Sequence, residues 1–179
     1  GGLGGGKNWT TGANWTPAGA PAAADDVLFN TAGVITFSTM PASGSYASLE
    51  ISNGAVVTFV GGAACTLTLG SVGADPDFLV AGGGSSLTLG TNVSIILAAN
   101  ATANISGDFF INIGRIFDAT AAGVVTSVFG TISNQGTVNG TLSTLTFQNG
   151  CAYVHDQDGG TIPTATWNTT SLCSITGLI

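Results

Sequence analysis

The amino-acid sequence predicts an all-β chain wound as a single-stranded parallel β-helix, a β-solenoid with about 20 residues per coil. Three observations predict it. The helix formers Glu, Lys, Arg and Met are nearly absent, short alternating apolar runs follow one another between turn residues, and short segments recur at a fixed offset.

The chain has 179 residues, enough for one domain with a sizeable core, and 44% of them are hydrophobic. Only 6% are charged, while 28 are glycine. There is a single glutamate (Glu50), a single lysine (Lys7), a single arginine (Arg115) and a single methionine (Met40). Those side chains lose little rotamer entropy in a helix. Their replacement by Thr, Val, Ile, Ser and Gly favours strands and turns.

Taken along the chain, residues 1–48 read as an N-terminal cap and first coil. Residues 49–179 read as solenoid coils that continue past the C-terminus, because Ser174–Ile179 ends in a strand-like pattern with no terminating signal. From residue 49 onward, apolar runs occur at Leu49–Ile51, Ala55–Val60, Thr66–Leu69, Phe78–Val80, Ser86–Leu89, Ser94–Leu97, Phe109–Ile113, Val124–Phe129, Thr137–Val138 and Leu142–Phe147. Each is bounded by Gly, Asn, Asp or Ser, so each reads as a strand between tight turns.

Repetition selects the solenoid over a sandwich or barrel. The segment Cys65-Thr66-Leu67-Thr68-Leu69-Gly70-Ser71 recurs as Ser85-Ser86-Leu87-Thr88-Leu89-Gly90-Thr91. Ile51-Ser52-Asn53 and Ala55-Val56 find an echo in Ile132-Ser133-Asn134 and Thr137-Val138. An offset near 20 residues is the length of one β-helix coil, which buries its apolar face only against the coils above and below.

Two cysteines, Cys151 and Cys173, are separated by about one coil, which places them on neighbouring rungs. A rung spacing of ~4.8 Å is compatible with a disulfide. Two unlinked buried thiols fit the spacing equally well. Cys65, inside an apolar run, reads as an inert core thiol.

The formal net charge is −7, with two basic residues against nine acidic ones. Such a chain cannot neutralise a run of phosphates, so nucleic-acid binding is excluded. No apolar stretch approaches the ~20 residues needed to span a bilayer, so direct membrane insertion is not expected. The sequence opens without an initiator Met or a signal-peptide pattern, which suggests a processed or excised piece.

At the N-terminus, Lys7-Asn8-Trp9-Thr10-Thr11-Gly12-Ala13-Asn14-Trp15, then Pro17, Pro21 and Ala22–Val27, resembles a recurrent opening of large surface proteins of Bacteroidota. Near the other end, Gly159–Asn168 looks like a segment common in the same proteins. The resemblance covers about a fifth of the chain. It implies a first β-solenoid coil, an extracellular or cell-surface location, and export by the type IX secretion system, whose outer-membrane machinery would then be a partner. Members include adhesin-like giants, so surface glycans or other cells are further implied partners. The C-terminal sorting domain of that system is not present in the sequence.

Physically, Trp9 and Trp15 read as cap aromatics over the exposed end coil, with the Pro-rich turn blocking extension of the edge. The rival reading is an aromatic platform for sugar rings. The cap is favoured, because surplus tryptophan at a solenoid end supplies buried area.

A β-helix enzyme would need carboxylates clustered on one face, or a calcium beside a basic residue. The candidates are Asp25-Asp26, Asp75/Asp77, Asp108, Asp118 and Asp156/Asp158, and no three of them fall in phase with a coil. Asp25-Asp26 and Asp75-Pro76-Asp77 read as turns, the latter with calcium as a minor alternative. His155, the only histidine, lies beside two carboxylates in a segment of ordinary loop composition ending in Gly159-Gly160. Arg115 either projects outward or pairs with a carboxylate such as Asp118. Seven Asn-x-Ser/Thr triplets, at Asn8, Asn14, Asn92, Asn100, Asn104, Asn139 and Asn168, read as turn and ladder residues.

No catalytic, cofactor or metal residue is therefore assigned. The expected function is a non-catalytic secreted scaffold or adhesin-like module, a fragment of a larger type IX cargo. The alternative is a polysaccharide-binding or polysaccharide-degrading β-helix protein.

Overall fold

Alternation puts every second side chain of a run on one face, and Gly or Asn at the run's end lets the backbone turn sharply enough to start the next. The computed structural model describes residues 7–70 and 76–177, and these carry out that programme over about seven turns. After a short strand β1 (Lys7–Asn8), the chain winds in triplets. The first coil holds β2 (Asp26–Phe29), β3 (Gly33–Thr39) and β4 (Ser43–Tyr46). The second holds β5 (Ser48–Ile51), β6 (Ala55–Phe59) and β7 (Cys65–Leu69). The third holds β8 (Phe78–Val80), β9 (Ser86–Leu89) and β10 (Val93–Leu97).

The fourth coil comprises β11 (Thr102–Ile105), β12 (Asp108–Ile111) and β13 (Ile116–Asp118). The fifth comprises β14 (Val125–Val128), β15 (Thr131–Asn134) and β16 (Thr137–Asn139). The sixth and seventh contribute two strands each: β17 (Leu145–Phe147) with β18 (Ala152–His155), and β19 (Thr166–Trp167) with β20 (Leu172–Ile175). Members of successive triplets stack into three parallel sheets, of seven, eight and five strands. Apart from one 3₁₀ turn at Gly12–Asn14, the described residues contain no helix.

The interior is built of residue columns one rung apart. One runs Phe29, Ile51, Val80, Ile105, Val128, Phe147 and Trp167. Another runs Ile35, Val57, Leu87, Phe109, Ile132, Tyr153 and Cys173. Inward side chains of successive coils stack on one another, and the core from Phe37 to Phe147 is apolar apart from a few polar insertions.

Corners explain the glycines. The N–H groups of Ser106 and Gly107 both donate to the Val80 carbonyl, and those of Phe129 and Gly130 repeat this on Ile105, one coil later. A Cβ on Gly107 would strike the carbonyls of Ala81 and Ser85, and one on Gly130 would strike that of Gly107. Elsewhere Asn53, Asn92 and Asn100 take the left-handed conformation themselves.

All ten sequence-derived runs fall on strands, but the recurrences that suggested the winding do not stack. Leu67 lies in the five-stranded sheet between Gly44 and Ile95, whereas Leu87 lies in the eight-stranded sheet between Val57 and Phe109. Ile51 and Ile132 likewise belong to different sheets. The repeated motif encodes a strand followed by a corner, which every face needs. True rung offsets range from 19 residues (Thr126 to Leu145) to 30 (Val57 to Leu87), with about 22 per turn.

The two ends differ. At the first coil, Lys7 and Asn8 pair with β3, the Trp9 amide donates to Thr39, and the Trp9 side chain turns in over the core. Trp9 is 1% exposed, with ring centroids 4.9–5.6 Å from Trp15, Phe37, Tyr46 and Phe59. Trp9 thus covers the core at this end. At the other end, Trp167 stacks on Phe147 at 4.1 Å, but Cys173 and Ile175, in line with inward Tyr153 and His155, are exposed.

Candidate functional site

The carboxylates, which any hydrolase or lyase would need together, are engaged one by one in turns and between rungs. Asp25 accepts the Ala22 amide (2.8 Å) and closes the turn into β2, and Asp26 accepts the Ser48 hydroxyl (2.7 Å) on the next rung. Asp118 ends β13 in the five-stranded sheet, where it accepts the amide and hydroxyl of Thr120 and the amide of Asn139. Burial alone would raise its pKa, but these hydrogen bonds outweigh it and hold the carboxyl below its ordinary value. Asp156 follows β18 and joins Gln135 to Thr176 across three rungs. Asp108 and Asp158 are exposed on separate edges, and Asp75 lies outside the described residues.

Asp26 and Asp77 come nearest to a functional pair. Asp26, Ser48, Asp77 and Thr102 occupy one column at the leading edge of the seven-stranded sheet, so the two carboxylates stand two rungs, ~9.6 Å, apart. Asp26 faces solvent, but Asp77 is 3% exposed and accepts the Thr102 amide at 2.7 Å. A carboxylate buried against a backbone N–H caps that edge and does not reach a substrate. Among the described residues, no three of His, Cys, Asp and Glu gather as a metal site.

His155 points inward, 5% exposed, in line with Asn134 and Ile111. Its Nε2 lies 2.6 Å from the Gly159 carbonyl, while Asn134 donates to the Tyr153 hydroxyl at 2.9 Å, which lies 3.4 Å from His155 Nδ1. Burial pushes the Tyr153 phenol up to about 12. This network ties the 156–160 loop to the sixth coil and leaves the histidine no access to a substrate. Arg115 projects outward and donates from Nε to the Ile113 carbonyl at 3.4 Å; the Asp118 oxygens are engaged by Thr120 and Asn139.

The disulfide alternative for Cys151 and Cys173 is corrected by register. The residues do lie on adjacent coils, but Cys173 pairs with Tyr153, and it is Leu172 whose amide reaches the Cys151 carbonyl. A two-residue slip adds roughly 6.6 Å along the strand to the ~4.8 Å between rungs, beyond the reach of a disulfide. Both thiols are free, Cys151 buried and Cys173 exposed; Cys65 is buried and free as well.

What the structure brings together, and sequence reading did not, is a groove of about 810 Å³ between the cap loop and the first coil. Trp15, half-buried, forms part of its wall. The indole is held by stacking on Phe37 (5.3 Å, 17°) and by donation from Nε1 to the Trp9 carbonyl (2.7 Å). Ile35, an inward position that the cap leaves partly open, forms the apolar floor, and Lys7, Asn14, Asp25, Asp26 and Asn30 supply polar groups. Local signals named Asp25-Asp26 as a turn and Trp15 as a cap residue. Nothing in the sequence places Asn30 or Lys7 beside them, because the loop that joins them spans a dozen residues without regular structure.

Among the described residues no helix is long and apolar enough to cross a membrane. Neither a family model, a curated protein nor a solved structure matches the chain.

Proposed function

We propose that this chain is a non-catalytic structural module of a secreted or cell-surface protein, a rigid β-solenoid that spaces or displays other parts of an adhesin-like molecule. The observation that carries this reading is the use made of the carboxylates. Asp25, Asp26, Asp77, Asp118 and Asp156 each bond within a turn or to a neighbouring rung; Asp26 and Asp77 share one column, but Asp77 is buried, and Asp118 and Asp156 lie at other strands. Continuous backbone ladders between coils supply stiffness along a rod of roughly 30 Å. The opening and closing motifs described above support export as a type IX cargo and a location outside the cell.

Two measurements test the reading together. The intact parent protein is sought on the surface and in the medium of the source bacterium by antibody labelling and protease shaving. The purified chain is incubated with neutral and acidic polysaccharides while reducing ends and unsaturated uronates are followed. Surface or secreted location without bond cleavage is expected. Retention in the cytoplasm, or cleavage abolished by replacement of one carboxylate, would overturn it. A second reading, a glycan-binding β-helix, is favoured by the groove beneath the cap.

A further inference from the structure

The groove is open, mixed in character and pre-formed. Three contacts immobilise Trp15: the Nε1 bond to Trp9, the stack on Phe37 and the tilted contact with Phe29 at 5.7 Å. An indole locked by its surroundings presents its remaining surface at little entropic cost, which is what an aromatic recognition platform requires. Around it, one oxygen of each carboxylate is already engaged, Asp25 by the Ala22 amide and Asp26 by the Ser48 hydroxyl. Those bonds orient the carboxyl groups, and the second oxygen of each makes no hydrogen bond within the described residues. Asn14 is anchored in the same way: its amide nitrogen donates to the Asn8 carbonyl, which leaves its oxygen as an acceptor.

The charge pattern selects the class of occupant. A purely apolar ligand would strip water from the carboxylates without replacing their hydrogen bonds, at a cost. An acidic ligand would meet two carboxylates against one lysine, and a cation would meet Lys7 on the same wall. A neutral polyol ring satisfies every element: an apolar face for the indole, hydroxyl donors for the free carboxylate oxygens, and acceptor oxygens for Lys7 and Asn30. The volume lies within the ~300–1,000 Å³ typical of small-ligand sites.

We propose that the groove beneath the N-terminal cap is a binding subsite for a neutral polysaccharide, with Trp15 as its stacking platform and Asp25, Asp26, Asn14 and Asn30 as its hydroxyl partners. The subsite is independent of whether the chain is displayed at a cell surface, so its failure would leave the scaffold reading in place.

The full chain is titrated with soluble oligosaccharides of β-linked glucose, mannose, xylose and N-acetylglucosamine, and with oligogalacturonate as the acidic contrast. Tryptophan fluorescence and saturation-transfer NMR report binding. At least one neutral oligomer is expected to saturate the fluorescence change, with sugar protons receiving saturation from the protein. Asp26→Asn and Asn30→Ala are expected to weaken it about tenfold, and Trp15→Phe to weaken it by less than Trp15→Ala. Because the Asn30 side chain makes no bond within the described chain, Asn30→Ala keeps the test valid even where Trp15→Ala loosens the cap. The proposal is overturned if no neutral oligomer binds at up to about 10 mM, if only oligogalacturonate binds, or if Asn30→Ala and Asp26→Asn both bind as the parent does.

Discussion

Replacement of Trp9 by alanine tests the idea that the end of the solenoid is closed by one buried side chain. Trp9 is 1% exposed and is surrounded by four aromatic rings with centroids within 5.6 Å. A buried tryptophan removes ~200 Å² from water, worth about 5 kcal/mol at ~25 cal/mol per Å². Measured Trp-to-Ala replacements in cores cost about 3–5 kcal/mol, so about 4 kcal/mol is expected here. The loss is local, because in a stacked array each coil contacts only its neighbours. Amide protons of the first coil, in β2 and β3, are therefore expected to lose nearly three decades of hydrogen-exchange protection, while β14, β15 and β18 keep theirs. Trp9→Phe retains part of the burial and falls between. The assay is hydrogen exchange read strand by strand, with urea unfolding as a check on global stability. A loss under about 1 kcal/mol, or one shared equally by all seven coils, would refute the reasoning.

Three other outcomes follow from the same geometry. Of the three cysteines, Cys173 is expected to react fastest with a disulfide reagent near pH 8: its thiol too is raised by partial burial but it is exposed, whereas Cys65, pushed up to about 11, and Cys151, also raised, are buried in the core; two equally fast thiols would contradict the packing. Asp118 has its folded pKa depressed, so its stabilisation is present above the unfolded carboxyl value of ~3.9 and is lost as pH falls through the folded value. Asp118→Asn is thus expected to lower the urea midpoint at neutral pH and to converge with the parent in acid, and a constant difference across pH would exclude this account. Thr126 is 1% exposed with no partner for its hydroxyl among the described residues, between inward Ala103 and Leu145. Thr126→Val is expected to stabilise the chain by about 1 kcal/mol, and a lower melting temperature would show that the hydroxyl is satisfied.

The sequence by itself determined the class of structure, because the determinants are local. Alternation such as Ala55–Phe59 or Cys65–Leu69 is a property of neighbouring residues, and so is the capacity of Asn53, Asn92 or Asn100 to turn a corner. Scarcity of Glu, Lys, Arg and Met, and of charge, is likewise legible without coordinates. What only the tertiary structure decided is which run stacks on which. Rung offsets vary from 19 to 30 residues, so a motif shared by β7 and β9 lies on two faces, and a spacing of about one coil leaves Cys151 two positions out of step with Cys173. The cap groove has the same origin. Lys7, Trp15, Asp26 and Asn30 meet through an irregular loop crossing the end of the core, and the path of such a loop is set by the surface it covers. Local periodicity is written residue by residue, whereas stacking partners depend on the accumulated length of every turn between them.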